Sequence, residues 1–187
     1  MRTAQPDKRT RLIETATKLA YGRGFRETSL ADIAEAARVP VGNVYYYFKT
    51  KEELAEAVVE RRLEEFRAAR AEWDRSSSPK ERLLTFVGSI QANREQLARG
   101  GCPLGGLCSE LHKEGGALAK KSAALFTEPM GWLEEQFRAA GHEEDARELS
   151  AHLFCAFQGM AAVAHAANDP DLVVMEVKRL KDWINTL

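Results

Sequence analysis

The chain has 187 residues, 44% hydrophobic and 29% charged, with a formal net charge of −1. That balance describes one or two small soluble globular domains. No uninterrupted stretch approaches the roughly 18 apolar residues a membrane span requires; the best, residues 159–167, is short and contains His165.

The near-neutral total conceals an asymmetry. Residues 1–51 hold 10 Lys and Arg against 5 Asp and Glu, and the remainder 17 against 23. A basic head on an acidic body fits a nucleic-acid contact confined to one end. The opening Met1-Arg2-Thr3-Ala4-Gln5-Pro6-Asp7 has no apolar signal-peptide core. A cytoplasmic location is therefore expected, with Cys102, Cys108 and Cys155 as reduced thiols.

The first predicted helix covers residues 8–23, with Leu12, Ile13, Ala16, Leu19 and Ala20 on one stripe. Gly22 and Gly24 supply its stop, and Phe25 follows as a core anchor. Ser29 and Asp32 have capping-box spacing and open a second helix over 30–37, with Leu30, Ile33, Ala34 and Ala37 inward. Arg38-Val39-Pro40 breaks it, and Pro40 suits the first turn of the next helix.

The third helix carries Val41-Gly42-Asn43-Val44-Tyr45-Tyr46-Tyr47-Phe48. Val44 and Phe48 lie four apart and point inward, so at least two of the tyrosines face out. An outward tyrosine offers a flat ring and a hydroxyl to base edges and phosphate oxygens. Three short helices in about 40 residues, the last two joined by a tight turn, follow the helix-turn-helix plan. Thr50-Lys51-Glu52-Glu53 is a further capping box, placing Lys51 beside the open amides of a new helix start, where a phosphate would bind.

That helix is expected over 51–74, with Val59, Leu63, Phe66 and Trp73 inward, and ends at Arg75-Ser76-Ser77-Ser78-Pro79. A helix over 79–99 follows, then a glycine-rich turn over 100–108 leading to a short helix ending near Lys113. Further helices are expected over 117–140, kinked at Pro129, and over 143–168 and 172–187. No strand alternation or internal repeat is evident. The fold class is all-α, with a helix-turn-helix domain over 1–50 joined through a long helix to a helical domain over 51–187.

The stretch from Gly42 to Leu54, with the Gly24-Phe25 turn and Thr28-Ser29-Leu30-Ala31-Asp32-Ile33-Ala34, resembles the TetR family of bacterial transcriptional regulators. The strong match covers the first third of the chain. Arg38, Pro40 and Tyr47 depart from it, standing where Gly, Ser or Thr, and His are frequent. The Gly101-Cys102-Pro103-Leu104-Gly105 turn resembles that of a TetR subgroup.

The resemblance implies a pseudo-palindromic double-stranded DNA operator. Val41, Gly42, Asn43 and Tyr45 are then expected at base edges and the groove floor, and Thr28, Ser29, Tyr46, Tyr47 and Lys51 on phosphates. For Thr28 and Ser29 plain helix capping is an equal reading. The last two helices are implied as the homodimer interface, with Cys155, Gly159, Ala162 and Ala166 as a small-residue stripe. The body is implied to hold a small apolar-to-amphipathic organic effector, and Phe86, Ile90, Cys102, Leu107, Cys108, Leu111, Phe126, Phe154 and Gln158 are the expected wall.

Competing chemistry is thin. Cys102, Cys108 and His112 lack zinc spacing and a fourth ligand, so no metal or cofactor is expected. Residues 100–106 lack the Lys-Ser/Thr of a phosphate loop, and His112, His142, His152 and His165 are scattered, so no catalytic residue is assigned. Two alternatives to a ligand-released repressor stay open. One is a thiol sensor of oxidants or electrophiles using Cys102 or Cys108, though small buried cysteines are the plainer reading. The other is a protein-interaction module with weak non-specific DNA binding.

Overall fold

The computed structural model describes residues 7–113 and 115–187. The Met1–Pro6 stretch, read above for a signal peptide, lies outside them. All regular structure among the described residues is α-helical, in eleven elements.

The order is α1 (Lys8–Arg23), α2 (Leu30–Ala36), α3 (Val41–Tyr47), α4 (Lys51–Trp73), α5 (Pro79–Ala92) and α6 (Arg94–Gly100). Then come α7 (Pro103–His112), α8 (Gly116–Ser122), α9 (Ala124–Ala139), α10 (Ala146–Ala167) and α11 (Asp171–Thr186). The first four match the expected boundaries within a residue. Their ends are chemically marked. Asp7 Oδ1 accepts the Thr10 amide at 2.7 Å, and Gly24 at φ 89° closes α1, which runs on through Gly22. Ser29 and Asp32 form a closed capping box.

Three expectations about the later helices fail. The helix expected over 79–99 breaks at Asn93, whose Nδ2 donates to the Ser89 carbonyl at 2.8 Å and so competes with the helical ladder. The glycine-rich stretch is no loop: α7 begins at Pro103 and absorbs Gly105 and Gly106. The helix expected over 117–140 divides at Ala123, where Ser122 Oγ bonds the Ala119 carbonyl at 3.0 Å, while Pro129 lies inside α9.

The chain packs as two compact units that differ from a consecutive division at residue 50. The first comprises the chain up to Glu64 plus Gly106–Leu125; the second comprises Glu65–Gly105 plus Phe126–Leu187. Long helices do not respect packing boundaries, so α4 and α7 each begin in one unit and finish in the other. In the first unit Leu12, Ala16, Ile33, Ala34, Val44, Leu54 and Val58 are fully buried.

The second unit is built on α5, α6, α9, α10 and α11. Trp132, Leu133, Phe137, Leu153, Val173 and Val177 are among its deeply buried side chains. On α11, Val177, Leu180 and Ile184 are buried in this unit. The small stripe of α10 is not: Cys155, Gly159, Ala162 and Ala166 are exposed, beside exposed Val163 and, on α11, Met175.

Candidate nucleic-acid interface and body cavity

A seven-residue helix is too short to be stable alone, so α3 exists because its inner face is held. Val44 and Phe48 are buried beneath it, and Arg9 packs its guanidinium 5.3 Å from the Phe48 ring centre. Pro40 caps it without a side-chain hydrogen bond. The outer face is apolar and unused by the fold. Val41 is 45% exposed, Tyr45 51% and Tyr46 74%, too much apolar surface on one short helix to be incidental.

Gly42 is exposed, and a Cβ there would meet nothing within 4 Å. The fold does not require glycine at this position, so the missing side chain clears space toward the outside. Asn43 and Tyr47 are half-buried, and Tyr47 meets the Tyr46 ring edge to face at 5.0 Å.

The turn before α3 contains a strained residue. Arg38 has φ 53°, the left-handed region that disfavours a Cβ, and Arg11 Nη2 donates to its carbonyl at 3.1 Å.

The expected phosphate contacts divide. Thr28 is fully buried: its hydroxyl donates to the Gly24 carbonyl at 2.7 Å and accepts from Arg23 Nε at 3.3 Å. A hydroxyl turned inward cannot reach a phosphate, so Thr28 locks the α1–α2 turn instead. Ser29 is exposed; its oxygen accepts the Asp32 amide at 3.1 Å and its proton remains to donate. The Ser29 amide and hydroxyl, with the Arg23 guanidinium 2.6 Å away, hold the Asp32 carboxyl below the usual carboxylate range.

At the start of α4 the capping box forms with a shift. Thr50 Oγ1 accepts the Glu53 amide at 3.1 Å, but the Glu53 carboxylate accepts from the Lys49 amide at 2.7 Å, one residue early. The Glu53 carboxylate therefore holds the amide that precedes the helix, that of Lys49. Lys51 is also engaged: Nζ donates to the Arg26 carbonyl at 2.8 Å and lies 5.2 Å from the Phe25 ring centre. Lys49, not singled out from the sequence, is the more exposed cation, with Nζ on the Tyr45 carbonyl at 3.0 Å. Its position directly after the aromatic run was the available signal.

A contact no local pattern could reveal fixes the α1–α2 turn. The Glu110 carboxylate, on α7, accepts the Phe25 amide at 2.9 Å and also the Arg26 amide. The Phe25–Arg26 segment is therefore held by its amides from α7 and by a carbonyl from α4.

In the second unit a cavity of about 400 Å³ opens among α4, α5, α6, the start of α7, α9 and α10. Of the expected wall, Phe86, Ile90, Cys102 and Phe154 line it. Phe126 stacks edge-on against Phe154 at 5.3 Å without lining it. Gln158 Nε2 donates to Cys102 Sγ at 3.4 Å, in space left by the missing side chain of Gly105. Leu107, Cys108 and Leu111 do not belong to this wall: the second half of α7 buries them in the first unit. Phe66, Trp73 and Phe157 line the cavity and were not assigned to it from sequence. Among the described residues no cluster of three or more His, Cys, Asp or Glu could hold a metal, and no helix is long and apolar enough to cross a membrane.

Residues 12–58 match the model of the bacterial regulatory proteins of the tetR family. Residues 79–174, over half the chain, match the C-terminal domain of LmrA/YxaF-like transcriptional regulators. The chain belongs to the TetR family. Members of that family bind DNA as dimers.

The HTH-type regulator TtgR of Pseudomonas putida is 43% identical over 54 residues, 29% of this chain and 26% of TtgR. The uncharacterized regulator YxaF of Bacillus subtilis is 32% identical over 113 residues, 58% of each chain. These alignments span less than two thirds of either relative. A TetR regulator from Legionella pneumophila superposes with a TM-score of 0.84 at 20% identity, covering 98% of both chains, which supports the fold.

Proposed function

We propose that this TetR regulator is a homodimeric repressor, with residues 1–50 reading an operator and residues 51–187 pairing protomers and holding a small organic effector that releases DNA. The carrying observation is the outer face of α3: Val41, Tyr45 and Tyr46 are exposed around an unobstructed Gly42, over a buried Val44 and Phe48. Such a face is shaped for a groove, with Val41 suited to a thymine methyl and the tyrosine hydroxyls to polar edges.

Asn43 shares that face; Ser29, Tyr46, Tyr47 and Lys51 are assigned to backbone phosphates. Lys51 would exchange the Arg26 carbonyl for a phosphate oxygen. The exposed small residues of α10, with Val163 and Met175, are assigned to the partner protomer. Two-fold symmetry would then set two α3 helices about 34–36 Å apart, or a multiple of it, along a pseudo-palindrome. An effector that moves the equilibrium from 1:99 to 99:1 must favour the releasing conformer by about 5.5 kcal/mol.

The deciding experiment is fluorescence anisotropy with duplex DNA from upstream of the chain's own gene, against scrambled DNA, at two salt concentrations. Preference for the upstream duplex that survives higher salt is expected, and Tyr46→Ala should abolish it. Equal, salt-labile binding to both duplexes would reduce the head to its phosphate contacts and sink the operator reading for that site. Release by an alkylating agent, lost in Cys102→Ser, would favour a thiol sensor instead.

A further inference from the structure

The cavity grades from an apolar depth to a polar rim. Phe86, Ile90, Leu97 and Phe154 belong to its lining, are 3–5% exposed and carry no polar side-chain atom. Among the described lining residues, the buried ones that do are Trp73, through its indole N–H, and Cys102. The Cys102 sulfur already receives the Gly105 amide at 3.3 Å and Gln158 Nε2 at 3.4 Å. The remaining polar side chains of the lining stand nearer water: Asn93 and Gln96 are exposed, Ser89 and Glu65 half-buried.

Ser89, Asn93 and Gln96 follow at intervals of four and three, which sets them along one edge where α5 gives way to α6. Asn93 gives one Nδ2 proton to the Ser89 carbonyl at 2.8 Å and keeps a second proton and Oδ1. Ser89 donates its hydroxyl to the Phe86 carbonyl at 2.6 Å and can still accept. Gln96 and Glu65 already interact within the chain, and a carboxamide engaged once retains further donor and acceptor positions. Size sets a second limit. A closed apolar cavity of about 150 Å³ holds the six carbons of benzene, so about 400 Å³ holds at most about 16 non-hydrogen atoms.

We propose that the effector is a single-headed amphiphile that enters tail first. Its apolar body, of up to about 16 non-hydrogen atoms, fills the depth, and its polar atoms gather at one end. That end is read at the α5–α6 rim by Asn93, with Gln96 and Ser89 beside it. This rests on reading the cavity as the effector site. A second polar group at the far end would surrender its water among apolar side chains, at a cost of about ten-fold or more in affinity. Molecules with hydrogen-bonding groups at both ends are therefore selected against.

The test uses three naphthalenes of one shape, in equilibrium dialysis against the full-length protein. (6-Ethylnaphthalen-2-yl)methanol has one polar end, 2,6-bis(hydroxymethyl)naphthalene has two, and 2,6-diethylnaphthalene has none. The mono-alcohol is expected to bind at least about ten-fold tighter than the diol. Asn93→Ala should weaken the mono-alcohol about five-fold and leave the hydrocarbon within about two-fold. Gln96→Ala, away from the helix break, should act in the same direction. Leu104→Trp, which fills the cavity, should abolish binding of all three. Suppose the diol matches the mono-alcohol, or the two rim variants shift alcohol and hydrocarbon alike, while Leu104→Trp still blocks binding. The single-headed assignment is then overturned and the cavity remains the site. If no probe binds up to its solubility, or binding ignores Leu104→Trp, the cavity reading falls and this assignment with it.

Discussion

The two units keep their shape by different means. The first is fastened by directed polar bonds onto backbone: Glu110 on the Phe25 and Arg26 amides, Lys51 on the Arg26 carbonyl, Thr28 on the Gly24 carbonyl, Arg11 on the Arg38 carbonyl. The second has such bonds too, Arg82 on the Ser76 carbonyl and Ser150 on the Met130 carbonyl, but adds a continuous core of rings and aliphatic side chains, with Trp132, Leu133, Phe137 and Leu153 shielded from water. Directed bonds fix an orientation, which a surface that must meet a groove requires. Apolar packing fixes a volume and tolerates a void, which a chamber requires. Of the side chains assigned to DNA, Val41, Tyr45 and Tyr46 stand exposed, whereas Ser29 and Lys51 also bond backbone within the first unit.

That contrast is broken most forcefully at its apolar end. Trp132 is 2% exposed, meets Trp73 at 5.3 Å and donates Nε1 to Asp74 at 3.0 Å. Trp132→Ala should cost about 3–5 kcal/mol in urea unfolding, from lost burial, the cavity left behind and an orphaned carboxylate acceptor. At the polar end, Glu110→Ala removes two charge-assisted bonds at once. We expect roughly 2 kcal/mol of local destabilisation, read as faster hydrogen exchange at the Phe25 and Arg26 amides, together with weaker operator binding. Unchanged exchange would show that α7 does not hold the turn.

Residues 8–58 were legible because their signals are local. Ser29 and Asp32 three apart, Gly24 after a stripe, and Val44 with Phe48 four apart each specify a piece of backbone without help from afar. The body was legible only in outline. Asn93 and Ser122 end helices by competing for carbonyls, a weak bias that packing decides. Leu107, Cys108 and Leu111 lie apart from the cavity because α7 changes surroundings along its length, which hydrophobicity does not encode. Glu110 and its amides are about 85 positions apart, beyond any spacing rule.

Smaller changes separate strain from function within the first unit. At Arg38, φ 53° holds a Cβ in the left-handed region, and its observed bond runs through the carbonyl, which glycine retains. Arg38→Gly should raise stability by up to about 1 kcal/mol, seen as a higher Tm. Gly42→Ala should act with opposite signs on two measurements. A methyl there meets open space and improves helix propensity, so stability should rise by about 0.5 kcal/mol. The same methyl should weaken operator binding by obstructing the approach to DNA; unchanged affinity would move the groove contact elsewhere.

Acid should resolve the two units with the gentlest perturbation. Asp7, Asp32 and Glu52 all belong to the first unit, and each carboxyl is held below its usual range, first by a backbone amide and then by a neighbouring hydroxyl. A carboxyl depressed in the folded state contributes stability above its unfolded value near pH 4, and loses it as pH falls through the lower folded value. The caps of α1, α2 and α4 should therefore loosen below about pH 4. Hydrogen exchange followed from pH 5 to pH 3, after correction for the intrinsic rates, should show protection falling at the Thr10 and Ser29 amides before it falls at Leu153 or Val177. Asp32→Asn should weaken the acid dependence at Ser29 and leave that at Val177 unchanged. Simultaneous loss of protection in both units would mean that the caps do not set the head's acid stability and that the units unfold as one.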